Sequence, residues 1–183
     1  MTTPDDWTPV EPPLAGDEAA ALLGALERLR AYVAWKCGGL DAAALQVRVA
    51  ASAITLGGLL KHLAAVEGTH FARLLLATDP PPPWDTVDWD ADPEWEWRTA
   101  ADDAPQELFA QWQASVQRSR VIVDKALASG DMSQSGKHVT AQGESPNLRR
   151  IVLDMIEEYA RHLGHADLIR EAIDGRVGED PAP

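Results

Sequence analysis

The stretch EEYARHLGHADLIRE, residues 157–171, reads as a helix and determines the fold that we predict. Glu158, His162 and His165 follow one another at intervals of four and three residues, so their side chains share one helical face. The same face carries apolar side chains on neighbouring turns, which are Ile151, Met155, Ile169 and Ile173. The pattern therefore predicts a helix that turns a carboxylate and two imidazoles toward a helical core.

Burial of this acid and these imidazoles needs a physical reason. A buried carboxylate without a partner costs several kcal/mol. Imidazole and carboxylate are standard zinc ligands, and residues four apart on a helix can meet one ion. Bundle cores are a usual place for such sites. The spacing leaves two interpretations open, which are a divalent metal site and a buried Glu–His hydrogen-bond network that stabilises the fold.

A tetrahedral metal site needs a further ligand from outside this helix. His138 lies in a polar loop, where we expect it to be solvated. His62 and His70 both lie on the second predicted helix. The helical wheel mildly favours His70, but it discriminates poorly in a helix that is mostly apolar. Spacing alone does not choose between the two.

Three more helical segments precede the one that contains residues 157–171, and residues that favour helix ends flank these four segments. Asp17, Asp103 and Ser145 are candidate N-terminal caps, and Pro146 follows the last of them as a favourable first helical residue. Glycines and a run of four prolines end the segments. The predicted helices cover about 17–37, 55–77, 104–129 and 146–174. The predicted fold class is all-α, a four-helix bundle whose long loops allow a crossover topology.

Residues 78–103 form a long loop rich in Trp, Asp and Pro. Loops of this length in compact domains are often functional. Its tryptophans could wall a pocket or pack across the end of the bundle; they are Trp84, Trp89, Trp95 and Trp97. We expect residues 1–16 to be an extended N-terminal arm and residues 17–183 to form one domain.

Composition excludes several classes of function. The formal net charge of −13 disfavours nucleic acid and anionic membranes as partners.

The acidic, Pro-rich start is unlike a signal peptide, and no apolar run reaches the length of a membrane span, so we expect a cytoplasmic protein. The single cysteine, Cys37, allows no internal disulfide and is interpreted as a small buried hydrophobe. The HExxH motif of many metalloproteases is absent.

Two blocks of the sequence are similar to a known family. They are TLGGLLKHLAAVE, residues 55–67, and MIEEYARHLGHADLIREAIDG, residues 155–175. Together they resemble the DinB-like superfamily, and within it the branch of mycothiol S-transferases and mycothiol-dependent maleylpyruvate isomerases. The resemblance extends over all four predicted helices and includes AWKCGGL, residues 34–40.

This resemblance implies a DinB-like four-helix bundle with a metal ion held by three protein ligands. It assigns His62 from the second helix, and Glu158 with His162 from the fourth, thereby choosing His62 over His70. His165 then lies just beyond the ligands as a candidate proton shuttle, a residue that supports a ligand, or a substitute ligand. Asp154 stands where relatives often carry a histidine, and is a candidate for orienting a ligand imidazole or an acid on the bundle rim.

The implied activity is transfer of a thiol, mycothiol or a similar low-molecular-weight thiol, onto a small electrophile by a zinc-dependent enzyme. The expected partners are small molecules only, and the protein is expected to be a monomer or a homodimer. A non-catalytic metal-binding stress or sensor protein of the same fold is the main alternative. A structural bundle without metal is a further one. Glu67 and Arg73 are interpreted as solvated and are assigned no role.

Overall fold

A computed structural model describes residues 7–178, so the first six residues of the predicted N-terminal arm lie outside the described residues. Within that range the regular structure is helical and contains no strand, which confirms the all-α prediction. The α-helices are α1 (Glu18–Cys37), α2 (Leu56–Glu67), α3 (Trp95–Thr99), α4 (Pro105–Ser129) and α5 (Leu148–Asp174). Short 3₁₀ turns occupy Ala44–Gln46 and Trp84–Thr86.

The four long helices form the predicted bundle. Helix α1 lies along α5 and α2 lies along α4, while α2 also contacts α1 and α5. The short helix α3 packs on α2. Apolar side chains from every long helix fill the centre, among them Leu26, Leu59, Leu63, Trp112, Val116, Ile151 and Met155. The central position of α2 brings its side chains next to those of α5.

The helix starts agree with the predicted caps only in part. Asp17 caps α1 by accepting a hydrogen bond from the backbone N–H of Ala20 at 2.8 Å. The cap of α5 is Asn147 rather than Ser145, because the carbonyl of Pro146 is bonded to the loop residue Gly136. The cap predicted at residue 103 is also wrong, since that aspartate instead accepts from Lys61, at 2.6 Å.

The second predicted helix changes its geometry halfway. It is α-helical to Glu67 and continues as a π-helix over Gly68–Leu75. The backbone N–H groups of Lys137 and His138 donate to the carbonyls of Leu75 and Leu74, which lie at the end of this segment. A distant loop therefore satisfies carbonyls that a helix end leaves without partners.

Gly136 is a point in that loop where we expect a side chain to be costly. A Cβ atom there would lie 2.5 Å from the carbonyl oxygen of Leu74 and 2.9 Å from that of Pro146. Both neighbours are backbone atoms, so they cannot rotate away. Gly136→Ala should lower the free energy of unfolding by about 1–3 kcal/mol, as overpacking does, in a urea titration.

The matched control for this variant is Gly164→Ala in α5, where a new Cβ would meet nothing within 4 Å. Alanine is favoured over glycine inside a helix, so this variant should be at least as stable as the wild type. Equal stability of Gly136→Ala and the wild type would show that the loop shifts to accept the methyl group.

A buried polar network crosses the bundle and corrects the interpretation of Glu67. Glu67 is fully buried and accepts two hydrogen bonds from Arg30, at 2.8 and 2.7 Å. It also accepts one from the hydroxyl of Tyr159 at 2.8 Å, and that hydroxyl accepts from the indole of Trp112 at 2.9 Å. The four side chains come from α1, α2, α5 and α4. Only Arg73 is exposed, as expected from the sequence.

The charges in this network stabilise one another. Burial opposes the charged form of Arg30, but the Glu67 carboxylate, together with Tyr159 and Glu27, holds the pKa of Arg30 above its ordinary value. Burial, and then the charge of Glu67, raise the pKa of Tyr159 well above its ordinary value, so its hydroxyl keeps its proton. The buried carboxylate is therefore fully compensated.

Candidate metal centre

Three side chains from two helices converge at one edge of the bundle. His62 of α2 and Glu158 and His162 of α5 each offer a ligand atom, and these atoms all lie within 4.8 Å of one another. Glu158 Oε2 is 3.3 Å from His162 Nε2 and 3.8 Å from His62 Nε2. These are the three residues that the resemblance assigned as metal ligands.

His70 lies outside this cluster. Its Nδ1 donates to the carbonyl of Val66, one turn back in its own helix, at 2.9 Å. The wheel that favoured His70 assumed α-helical geometry throughout. Because π-helical bonding widens the turn, that wheel misplaces residues that follow Glu67.

The cluster lies at the boundary between core and solvent. The side chain of His162 is 10% exposed and that of Glu158 is 30% exposed. His165 is half-buried. Of the three polar side chains that the wheel turned toward the core, only His162 is buried there. A small molecule can therefore reach the Glu158 side of the cluster.

Both imidazoles turn Nε2 toward Glu158, and each has a partner on Nδ1. The Nδ1 atom of His62 is 3.1 Å from Oε1 of Glu96, and that of His162 is 3.4 Å from Nδ1 of His165. Glu96 belongs to α3 and is buried. Sequence reasoning missed it, because an acid in a long loop gives no periodic signal that would place it beside α2.

The protonation state of His162 suits binding to a cation. Burial, followed by the neighbouring His62, lowers the pKa of His162 to about 4. The imidazole is therefore neutral at pH 7 and has a lone pair to offer. In addition, Nε2 of His62 is buried and has no hydrogen-bond partner in the described part of the chain.

These features fit a divalent metal ion. Two imidazoles and a carboxylate form a known donor set of catalytic zinc. Bonds of about 2.1 Å in tetrahedral geometry separate the ligand atoms by about 3.4 Å, close to the 3.3 and 3.8 Å seen here. A metal ion would also give the unpaired Nε2 of His62 a partner.

The tryptophans of the long loop divide into two groups. Trp97 stacks on the ring of His62, with centroids 4.7 Å apart and an angle of 25° between the planes. Trp84 and Trp89 instead lie edge-to-face against Trp95, at 5.8 and 6.3 Å. One tryptophan therefore borders the cluster, and the other three pack on one another.

Asp154 is not part of the cluster. Its carboxylate forms an ion pair with Arg150, one turn earlier in α5, at 2.7 Å. Cys37 does not belong to the cluster either, and it is a buried residue, as the sequence indicated. It is buried, and burial raises the pKa of its thiol to about 12.

None of the helices between residues 7 and 178 has the length and apolar character needed to cross a membrane.

Comparison with known proteins gives one family. The family model described as Mycothiol-S-transferase matches residues 21–175, a range that runs from the first turn of α1 to the end of α5 and includes the whole His–Glu cluster. No curated protein matches the chain at a significant level.

Proposed function

Because the chain belongs to the mycothiol-S-transferase family, we propose that it is a zinc-dependent enzyme that joins mycothiol, or a similar low-molecular-weight thiol, to a small electrophile. The observation that carries this proposal is the convergence of His62, Glu158 and His162 within 4.8 Å at a partly open edge of the bundle. Three protein ligands leave one coordination position for a substrate, which is the arrangement of catalytic zinc.

The three proposed ligands differ in donor atom and in exposure. His62 and His162 present their Nε2 atoms, and Glu158 offers a carboxylate oxygen from the more exposed side. A zinc ion held there would lower the pKa of a coordinated thiol, so that the reactive thiolate is present at neutral pH.

In the proposed reaction, the thiol sulfur forms a bond to an electrophilic carbon and loses its proton. In an addition to a double bond, that proton ends on the neighbouring atom of the electrophile. In a displacement, it departs with the leaving group or with solvent. No external oxidant or reductant is required in either case.

His165 is the proposed carrier of that proton. If His162 binds metal through Nε2, its Nδ1 carries hydrogen and donates to Nδ1 of His165. The proton of His165 then lies on Nε2, and its Nδ1 faces His162. To carry the thiol proton, the half-buried ring takes it up on Nδ1 as this contact opens, and the resulting imidazolium releases its Nε2 proton to the substrate. Asp154 can act in catalysis only if its carboxylate leaves Arg150. Its catalytic role stays a prediction.

The activity is tested with zinc-loaded protein, mycothiol and a panel of electrophiles that includes a haloalkyl bimane and maleylpyruvate. We expect turnover that requires both the metal and the thiol. Stoichiometric zinc without turnover of any electrophile, by any low-molecular-weight thiol, would support the non-catalytic metal-binding alternative instead.

The proton-transfer role predicts a selective loss in His165→Asn. At saturating zinc its kcat should fall about a hundredfold, the lower end of what a general acid or base contributes. Its zinc content should stay near that of the wild type. The control is His138→Asn, which replaces a histidine outside the cluster. An unchanged kcat in His165→Asn would remove this residue from the mechanism.

A further inference from the structure

The short helix α3 contacts His62 from two directions. Glu96 lies at the edge of the imidazole, with Oε1 3.1 Å from Nδ1. Trp97, the next residue, covers the face of the same ring, and the centroids of the two rings are 4.7 Å apart. The two contacts restrict both the rotation and the tilt of this ring. They come from a loop segment that supplies no proposed ligand.

The burial of Glu96 has no other explanation within residues 7–178. The residue is 6% exposed, and its one side-chain hydrogen bond goes to His62. Its second oxygen, Oε2, is buried without a partner. A buried carboxylate with incomplete hydrogen bonding weakens a fold. The contact of Glu96 with His62 is therefore the feature that explains its burial.

We propose that Glu96 is the positioning residue of the metal site. Its carboxylate accepts the Nδ1 proton of His62, which selects the tautomer that has its lone pair on Nε2. Trp97 holds the ring in the plane that points this lone pair at Glu158 and His162. The inference rests on the proposed metal site, and it makes residues 78–103 part of that site.

Gly58 supports this assignment from the opposite side of the contact. It lies one turn before His62 in α2, and a Cβ atom there would be 2.7 Å from Cε3 of Trp97. The indole can therefore stack on His62 only while residue 58 has no side chain. Gly58→Ala should displace Trp97 without altering a ligand or Glu96.

The test is the zinc affinity of the full chain, measured by competition with a chromophoric chelator. Glu96→Ala should bind zinc about 10–100-fold more weakly than the wild type, the usual effect of removing a carboxylate that supports a ligand. Glu96→Gln keeps an acceptor for the Nδ1 proton and should lose less. Glu94→Ala, an exposed acid of the same loop, is the control and should match the wild type.

Two further measurements separate positioning from general stability. The metal-free Glu96→Ala protein should unfold in urea at or above the wild-type midpoint, because the variant removes an incompletely paired buried charge. Its Co²⁺ complex should show an altered d–d absorption, since a ligand ring has moved. If Glu96→Ala fails to fold, Glu96→Gln provides the affinity comparison for the carboxylate, and Gly58→Ala tests the contact of Trp97.

The outcomes distinguish this inference from the function on which it rests. Wild-type protein that binds no zinc overturns both. The positioning role of Glu96 alone is overturned if the wild type binds zinc while Glu96→Ala has an affinity within threefold of it and an unchanged Co²⁺ spectrum. The same result in Gly58→Ala overturns the part assigned to Trp97. A lowered urea midpoint with unchanged affinity of the folded protein would likewise reduce Glu96 to a structural residue.

Discussion

His162→Ala should lower the zinc affinity of this protein by more than about a hundredfold, a larger loss than removal of a supporting residue causes. The imidazole is the most buried of the three proposed ligands, and its Nε2 lies 3.3 Å from Glu158. The remaining two side chains cannot hold an ion in a closed geometry. The measurement is elemental analysis of purified protein, with about one equivalent of zinc expected in the wild type and a trace in the variant.

His70→Ala is the matched control, because it removes an imidazole from the continuation of α2 but lies outside the cluster. It should retain the wild-type zinc content. Loss of zinc from both variants would indicate that binding depends on the fold rather than on His162. A wild type that takes up no metal, even after incubation with zinc, would leave a Glu–His network in place of a metal site, and the enzyme proposal would fail with it.

Glu67→Gln should destabilise the protein by about 3–5 kcal/mol, which is typical of breaking a buried ion pair. The variant keeps the size of the side chain but removes the buried charge that faces Arg30, whose side chain is 3% exposed. Arg30 then keeps only the part-exposed carboxylate of Glu27, at 2.6 Å. Urea titration gives the free energy of unfolding. In a thermal melt of a chain of this size, the same loss corresponds to a shift of about 10 °C.

Two controls define the origin of that loss. In the double variant Arg30→Met/Glu67→Leu, no unpaired charge is left in the core, so its stability should lie closer to the wild type than that of Glu67→Gln. Glu11→Gln removes the partner of Arg28 at a site where the carboxylate is 78% exposed, and should change stability by less than about 0.5 kcal/mol. A loss below about 1 kcal/mol in Glu67→Gln would mean that Glu27, which lies 2.6 Å from Arg30, is enough to compensate the guanidinium.

The parts of the fold that could be predicted from sequence are those governed by local interactions. Apolar periodicity placed the long helices, and the side chain of Asp17 and the left-handed Gly175 mark two of their ends. The helix starts near Ser145 and Asp103 were misplaced because distant groups compete for them. Pro146 is held by Gly136, and Asp103 by Lys61.

The candidate site shows the same division. The i,i+4 spacing of Glu158 and His162 is a local property and was visible in the sequence. The choice of His62 came from the resemblance, since the change to π-helix defeats an α-helical wheel. Glu96 and Glu67 were unpredictable because their partners, His62 and Arg30, lie on other elements. Buried charge pairs leave no pattern in a single sequence.

The placement of Cys37 bears on how such an enzyme survives its own substrates. Electrophiles that reach an activated thiol cosubstrate also alkylate any accessible protein thiolate. The chain has one cysteine, which is 2% exposed and has its pKa raised to about 12. Its sulfur therefore stays protonated and out of reach, which would protect the proposed enzyme from alkylation by its own electrophilic substrate.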